Sequence, residues 1–390
     1  MKKLKQTMEE YKSAKTISVT SFICRKARNG KIPLILLAMA LGSIGGLIVW
    51  LFFHVMTFGL WLLWEVLPQR LDFAYYPVLI CILGGLLIGV CQNKFGEYPQ
   101  KLDKVLDVIK EKRRYDYKRG ITTNALLPLI FGGSIGPEAG LAGVIAGYVA
   151  WMGDCYQCVA EEAMTRKKKY ILASVAVLCG IAVVLLLWYR TGIGLNISHF
   201  EQSSVSSHEI LWFFPLTLVG CLAGYFCHLS GKLGALALKP IKRTILRAVI
   251  GGVLLGLGGM YLPLALFSGE AHMGTVISDW ASMPMEELIL IGIVKIVLLN
   301  ICLMTGWHGG PVFPLLFAGI CLGCGMALLT DVDGAFAAAV VSAALCGAAL
   351  RKPLIVAPVL LVCFPLQSLV YIAPAAFLGS LAPLPAVLKA

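Results

Sequence analysis

Two Gly/Pro-rich stretches that interrupt long apolar segments constrain the fold of this chain more than any other feature. The first break comprises residues 132–140, which read GGSIGPEAG, and the second break comprises residues 309–316, which read GGPVFPLL. A helix broken at membrane depth leaves backbone N–H and C=O groups unpaired, which is tolerated only where protein covers them or where they line a cavity. Two interrupted segments in corresponding halves of a chain indicate a transport site. The free N–H groups at the start of each new helix favour an anion there.

The composition places these breaks inside a membrane. The 390 residues are 58% hydrophobic and only 14% charged, with a mean hydropathy of +0.83. These values predict an all-α integral membrane protein, since the apolar runs are continuous and do not alternate as barrel strands do. Runs of spanning length cover residues 33–64, 74–91, 170–189, 210–236, 245–267, 287–304 and 335–348. Shorter apolar runs cover residues 121–131, 138–152, 312–329 and 353–383.

The charge distribution predicts the topology. The formal net charge is +12, but the basic residues cluster between apolar runs, at 2–31, 101–119, 166–169, 239–247 and 351–352. This pattern indicates cytoplasmic loops facing anionic lipid, not a nucleic-acid partner. We therefore expect a multi-pass protein of the cell membrane with a cytoplasmic N-terminus. A basic segment at 1–31 precedes one transmembrane domain at 32–383, with halves at about 32–200 and 208–383, and we expect no C-terminal regulatory domain.

Catalytic and metal-binding patterns give little support to an enzyme. His-Glu-x-x-His does not occur, and the one Gly-x-Ser-x-Gly match, at residues 132–136, is part of the first Gly/Pro break, so an intramembrane enzyme remains only as a minor alternative. Glu270 and His272 lack a third ligand nearby, and we expect no metal and no cofactor. The 13 cysteines are expected to be reduced, buried thiols. Lys295, in an apolar run, is either a functional residue or a cap on backbone carbonyls.

Several short motifs resemble the CLC chloride channel and transporter family, in an order that covers residues 33–383. Residues 133–137 (GSIGP) stand where the family has Gly-Lys/Arg-Glu-Gly-Pro, and residues 309–314 (GGPVFP) match its Gly-Gly-x-Phe-x-Pro except at the Phe. Residues 96–99 (GEYP) stand where it has Ser-Gly-Ile-Pro, and residues 345–354 resemble its small-residue helix followed by Arg-x-Pro-Leu. The resemblance implies an inverted-repeat bundle of tilted and broken helices, a central anion site and a homodimer.

The departures from the family pattern matter most for function. The gating glutamate of the family falls at Ile135, whose apolar side chain can neither compete with an anion nor carry a proton. The pore serine falls at Gly96, and one backbone donor falls at Pro311, which has no N–H. The segment that holds the inner proton-transfer glutamate and the helix that carries the pore tyrosine have no clear counterpart. The remaining anion-binding donors are the N–H groups of Ser134, Ile135, Gly136, Val312 and Phe313.

These departures predict passive, proton-uncoupled transport of a small monovalent anion such as chloride, bicarbonate or nitrate. One alternative is an anion/proton antiporter in which Glu138, three residues after Ile135, replaces the missing gate. Glu138 could equally be an ordinary partner of the helix dipole. His308, beside the second break, could donate to an oxyanion or sense pH, or simply pack. Another alternative is an anion sensor that has lost conduction.

Overall fold

The computed structural model describes residues 34–71, 73–96, 120–159, 166–192, 198–201 and 205–383, and the regular secondary structure of these residues is helical. The predicted basic segments at 1–31 and 101–119 lie outside the described residues. The α-helices are α1 (Leu34–Leu60), α2 (Leu67–Leu71), α3 (Tyr76–Phe95), α4 (Gly120–Ile130), α5 (Glu138–Val159), α6 (Arg166–Thr191), α7 (Ser207–Leu238), α8 (Thr244–Tyr261), α9 (Glu270–Asp279), α10 (Met285–Thr305), α11 (Val312–Thr330), α12 (Gly334–Leu350), α13 (Pro353–Leu360) and α14 (Leu369–Leu381).

Seven helices within the described residues are long and apolar enough to cross a membrane, which confirms the predicted class. Two predictions of span length need correction. The run at 335–348 forms α12, which has 17 residues and falls below spanning length, whereas the run at 312–329 forms α11, which has 19 residues and reaches it. The apolar run at 245–267 also predicts a longer helix than the structure contains. Helix α8 ends at Tyr261 because Leu262 leaves helical geometry and Pro263 opens a short 3₁₀ turn.

Contacts divide the chain into two compact units. The first unit includes the described residues 34–55, 141–159 and 166–192, and its helices pack through small residues. The backbone of α1 approaches that of α6 at Gly42 and Ala176, and again at Gly46 and Gly180. A buried cluster lies beside this crossing and contains Leu37, Ala38, Leu41 and Leu172. Close backbone approach of this kind is how helices gain contact in lipid, where apolar burial alone favours no particular pairing.

The second unit includes both breaks and the described residues 56–71, 73–96, 120–140, 198–201 and 205–383. Its centre is α12, which is buried along almost its whole length and packs against α7, α11 and α14. A second close pair is formed by α3 and α8, whose backbones meet at Gly85 and Ala248 and at Gly252 and Cys81. These tight crossings form the scaffold on which both breaks lie.

The α3–α8 crossing provides a matched test of this packing. A Cβ added at Gly252 would overlap the carbonyl of Cys81, whereas one added at Gly258, on the same helix, would meet only the flexible Leu298 side chain at 3.1 Å. We expect Gly252→Ala to lower the free energy of unfolding by about 1–3 kcal/mol, as overpacking does. Gly258→Ala should be neutral or slightly stabilising because alanine favours helix. Thermal unfolding of the purified variants in detergent measures both, and equal melting temperatures would contradict the backbone overlap.

Candidate functional site

The two breaks meet each other through their backbones. The N–H of Gly136 donates to the carbonyl of Gly310 at 2.7 Å, and the N–H of Gly310 donates back to Gly136 at 2.8 Å. Helix α5 begins two residues after Gly136, at Glu138, and α11 begins two residues after Gly310, at Val312. The N-termini of two helices are therefore brought together, which concentrates their partial positive charges in one place.

The two breaks have the same backbone conformation at equivalent residues, which are separated by a constant number of positions along the chain. Gly132 and Gly306 end their preceding helices with φ angles of 91° and 92°. Just after each, an N–H reaches back five residues to a helical carbonyl, from Gly133 to Pro128 at 2.8 Å and from Trp307 to Cys302 at 2.9 Å. This is the bond expected when a helix terminates at a left-handed glycine. A Pro then precedes the first residue of the next helix in both breaks.

Side chains pair carbonyls that the breaks leave without helical partners. The indole Nε1 of Trp64 donates to the carbonyl of Ile130, the last residue of α4, at 2.9 Å. The amide of Gln92 on α3 donates to the carbonyl of Gly306. These two bonds meet the requirement that backbone groups at membrane depth find partners inside the protein. Trp307, which follows Gly306, donates its indole Nε1 to the carbonyl of Ala248 inside α8 at 2.9 Å, and this bond links the second break to α8.

The carboxylate of Glu138 lies on the N-terminus of the other broken helix. Its Oε1 accepts a hydrogen bond from the N–H of Val312, the first residue of α11, at 2.7 Å. Its Oε2 is buried and has no hydrogen-bond partner. A Cβ on either Gly136 or Gly310 would overlap this carboxylate, so glycine at both positions makes room for it. Glu138 belongs to α5 by sequence but caps α11.

The backbone donors predicted for an anion are largely engaged in this conformation. The N–H of Gly136 is paired with Gly310, the N–H of Ile135 donates to the carbonyl of Gly133 at 2.9 Å, and the N–H of Val312 is paired with Glu138. The hydroxyl of Ser134 is fully buried and makes no hydrogen bond. The anion-binding role of these residues stays a prediction, and it requires Glu138 to move from Val312.

The other residues singled out from the sequence surround this contact. Ile135 is fully buried, and its side chain lies where a Cβ on Gly309 would be. Pro311 is the residue immediately before α11, and Phe313 follows Val312 in its first turn with a half-buried side chain. His308 donates its backbone N–H to Gly306 at 2.9 Å.

Two buried amides escaped the sequence analysis. Gly96, at the C-terminal end of α3, accepts a hydrogen bond from the side chain of Asn124 on α4 at 3.2 Å. Asn124 and Gln92 are 1% and 4% exposed, and the amide oxygen of each has no hydrogen-bond partner. The available signal was weak, because Gln92 is followed by Asn93 and Lys94 at the end of α3 and Asn124 follows two threonines in α4. Gln92 bonds to the carbonyl of Gly306, just before the second break, and Asn124 lies in the helix that leads to the first break.

Lys295 is a cap on backbone carbonyls, one of the two roles open to it from sequence. Its Nζ donates to the carbonyls of Ala265, Leu266 and Phe267 at 3.2, 2.8 and 2.6 Å. The ammonium also lies 5.2 Å from the centre of the Phe317 ring on α11. Lys295 is completely buried, so these contacts replace the water that a lysine normally keeps.

The helices and the paired breaks define a multi-span membrane protein built around two broken helices whose N-termini converge. A family model described as "Voltage gated chloride channel" matches residues 158–383. The chain belongs to this family, which confirms the resemblance seen in the motifs. The matched region includes the second break and not the first.

Solved structures agree with the fold. The chain superposes on a "CLC-type fluoride/proton antiporter" with a TM-score of 0.63 and 18% identity, covering 89% of this chain and 94% of that chain. It superposes on a "slow cyanobacterial Cl-/H+ antiporter" with a TM-score of 0.64 and 17% identity, covering 90% and 94%. Identities this low establish the fold alone. They confirm the predicted bundle of tilted and broken helices.

A curated relative shares a shorter region. "Putative ion-transport protein YfeO" of Escherichia coli O7:K1 is 28% identical over 163 residues, which is 41% of this chain and 38% of that protein. The same protein from E. coli strain SMS-3-5 is 28% identical over 165 residues. The matches thus span well under half the length of these relatives.

Removing the Lys295 ammonium tests its structural contribution. We expect Lys295→Met to lower the free energy of unfolding by about 2–5 kcal/mol, because three buried carbonyls lose their shared donor. Lys239→Met is the matched control, since Lys239 directly follows α7 and is exposed. Melting temperatures of both variants in detergent check this, and a Lys295→Met protein as stable as the control would contradict the carbonyl-cap role.

Proposed function

We propose that this protein transports a small monovalent anion across the membrane, and that the Glu138 carboxylate competes with that anion for the N-terminus of α11. The observation that carries the proposal is the 2.7 Å bond from the N–H of Val312 to Glu138 Oε1. A carboxylate bound to the first N–H of a helix is held as a chloride, nitrate or bicarbonate ion would be held. The Glu138 carboxylate therefore occupies the anion-binding position at the start of α11.

Competition follows from the charges. A second anion next to an ionised Glu138 would meet strong repulsion, because the site is buried and poorly screened by water. The transported anion must therefore displace the carboxylate from Val312. A proton on Glu138 helps, since a neutral carboxyl is a weaker acceptor than a carboxylate. Anion entry is then linked to proton binding at the same side chain.

This linkage favours the antiporter alternative over the uncoupled mode. The missing gate at Ile135 is replaced by Glu138, which lies in the first turn of α5 and reaches across to α11. The two superposed relatives are described as a fluoride/proton and a chloride/proton antiporter, and their shared fold supports the same class of activity here. We expect chloride, bicarbonate and nitrate as the first anions to test.

Uncoupled permeation is the second candidate. It is favoured by the buried, apolar Ile135, which cannot carry a proton, and by the absence of a hydroxyl at Gly96. A non-conducting sensor would keep anion binding without flux. The cytoplasmic N-terminus and a homodimer also remain predictions from the charge pattern and the family.

Flux through proteoliposomes separates these modes. We expect the wild-type protein, given an anion gradient, to drive protons uphill, after correction for the buffering of bicarbonate where that ion is used. Glu138→Gln should carry anion faster and move no protons, because the competing carboxylate is gone. Glu286→Gln is the matched control, since Glu286 also lies in the first turn of a helix but is exposed.

Each contrary outcome has a meaning. Anion flux in the wild-type protein without proton movement would assign the uncoupled mode and remove Glu138 from proton coupling. Anion binding without flux would assign the sensor. A protein that neither binds nor moves any of the three anions would overturn the proposal.

Anion selectivity can be tested at Gly96. We expect Gly96→Ser to raise the preference for chloride over nitrate by about tenfold, since a hydrogen bond to a charged group contributes about 1.5 kcal/mol or more. Gly96 has a φ of 92°, which strains any side chain, so Gly96→Ala is the matched control for strain. Relative flux rates measure the effect, and equal selectivity in the two variants would rule out a role for the missing hydroxyl.

A further inference from the structure

An apolar cavity of about 20 Å³ lies beside the start of α11. Val312 and Leu316 line it from the first turns of α11. Cys346 and Leu350 line it from the C-terminal part of α12, and Val356 belongs to the wall formed by α13. Seven of its eight lining residues are aliphatic, and the eighth is Cys346. Because a buried water needs about two to four polar partners, this cavity suits an apolar group better than water.

Val312 forms part of the cavity wall and also provides the donor that holds Glu138. Its side chain lines the cavity, and its N–H donates to Glu138 Oε1 at 2.7 Å. The N and Cβ atoms of one residue are roughly 2.5 Å apart, since both are bonded to the same Cα. The cavity therefore begins directly beside the atom that holds the carboxylate.

The group on the Val312 N–H shows which ligand chemistry this position accepts. Glu138 presents a carboxylate at the end of an aliphatic chain, and one of its oxygens takes the N–H. The other oxygen, Oε2, is buried and has no hydrogen-bond partner. A buried charged group with an unpaired oxygen is costly. Glu138 is therefore an incompletely paired occupant, which a free carboxylate can replace.

We infer that the transport site takes a short-chain monocarboxylate of the acetate class, with its carboxylate on the N–H of Val312 and its methyl group in the cavity between α11, α12 and α13. This inference rests on the proposed function, because acetate must displace Glu138 from Val312 as the inorganic anions do. Acetate presents to α11 the same chemical group that Glu138 presents. Its methyl group also gains apolar contacts that chloride cannot make.

The volume of the cavity limits the length of the carboxylate. A space of about 20 Å³ holds one group of about the size of a water molecule or a methyl. Formate is shorter than acetate by one CH₂ and has no apolar group to place there, whereas butyrate has a longer tail than the cavity can hold. Burial of one CH₂ contributes about 0.8 kcal/mol, so we expect acetate to bind about fourfold more tightly than formate. Butyrate should bind no more tightly than acetate.

Isothermal titration calorimetry of the full chain in detergent, near neutral pH, tests this with formate, acetate and butyrate. Val356→Ile should bind acetate no more tightly than formate, because the added methyl group fills the cavity from α13. Val356→Ala should enlarge the cavity, so butyrate should then bind more tightly than acetate. Since the two substitutions predict opposite changes, poor folding of one leaves the other as a test. Val370→Ile is the matched control, because Val370 is 80% exposed on α14, and it should keep the wild-type preference.

Chloride titrations separate this inference from the proposed function. Glu138→Gln should raise the affinity for both chloride and acetate, because the competing carboxylate is gone. A protein that binds chloride but binds acetate no more tightly than formate would overturn the inference and leave the proposed function standing. An acetate preference that persists in Val356→Ile would do the same, since the methyl group would then lie outside the cavity. Binding of none of these anions would overturn the proposed function and the inference together.

Discussion

Backbone groups freed by a broken helix must be paired at membrane depth, and the rest of this structure depends on how the two breaks meet that requirement. Gly136 and Gly310 exchange two hydrogen bonds, so each break serves as the partner of the other. This mutual pairing brings the starts of α5 and α11 together. It also requires a surface without side chains at the contact, which only glycine provides.

The same geometry decides where charge can reside. Two converging helix starts form a partially positive region, and the Glu138 carboxylate occupies it. Nearby, three carbonyls point at the Lys295 ammonium and stabilise a cation without water. The two charged groups are thus held by backbone dipoles of opposite sign. Glu270, at the start of α9, is also buried, and its Oε1 has no hydrogen-bond partner.

The position of the carboxylate explains how the motif can differ from its family and still suit anion transport. Ile135 stands where the family has its gating glutamate. It precedes α5, and its apolar side chain packs beside Gly309. Glu138 lies three residues later, in the first turn of α5. Its carboxylate extends across the contact between the two breaks and accepts the N–H of Val312. From the first turn of α5, the Glu138 carboxylate therefore caps the opposing helix α11.

The membrane class, most of the helices and both breaks could be predicted from the amino-acid sequence, because long apolar runs and Gly/Pro pairs act locally on the backbone. The order of the motifs also led to the family, and Lys295 was recognised as unusual because a charge in an apolar run is costly. Only the tertiary structure decided that Glu138 caps α11 and not its own helix. It also decided that Gly136 and Gly310, which are 174 positions apart along the chain, pair through their backbones. Such pairings depend on how separate helices pack, and no local pattern of residues records them.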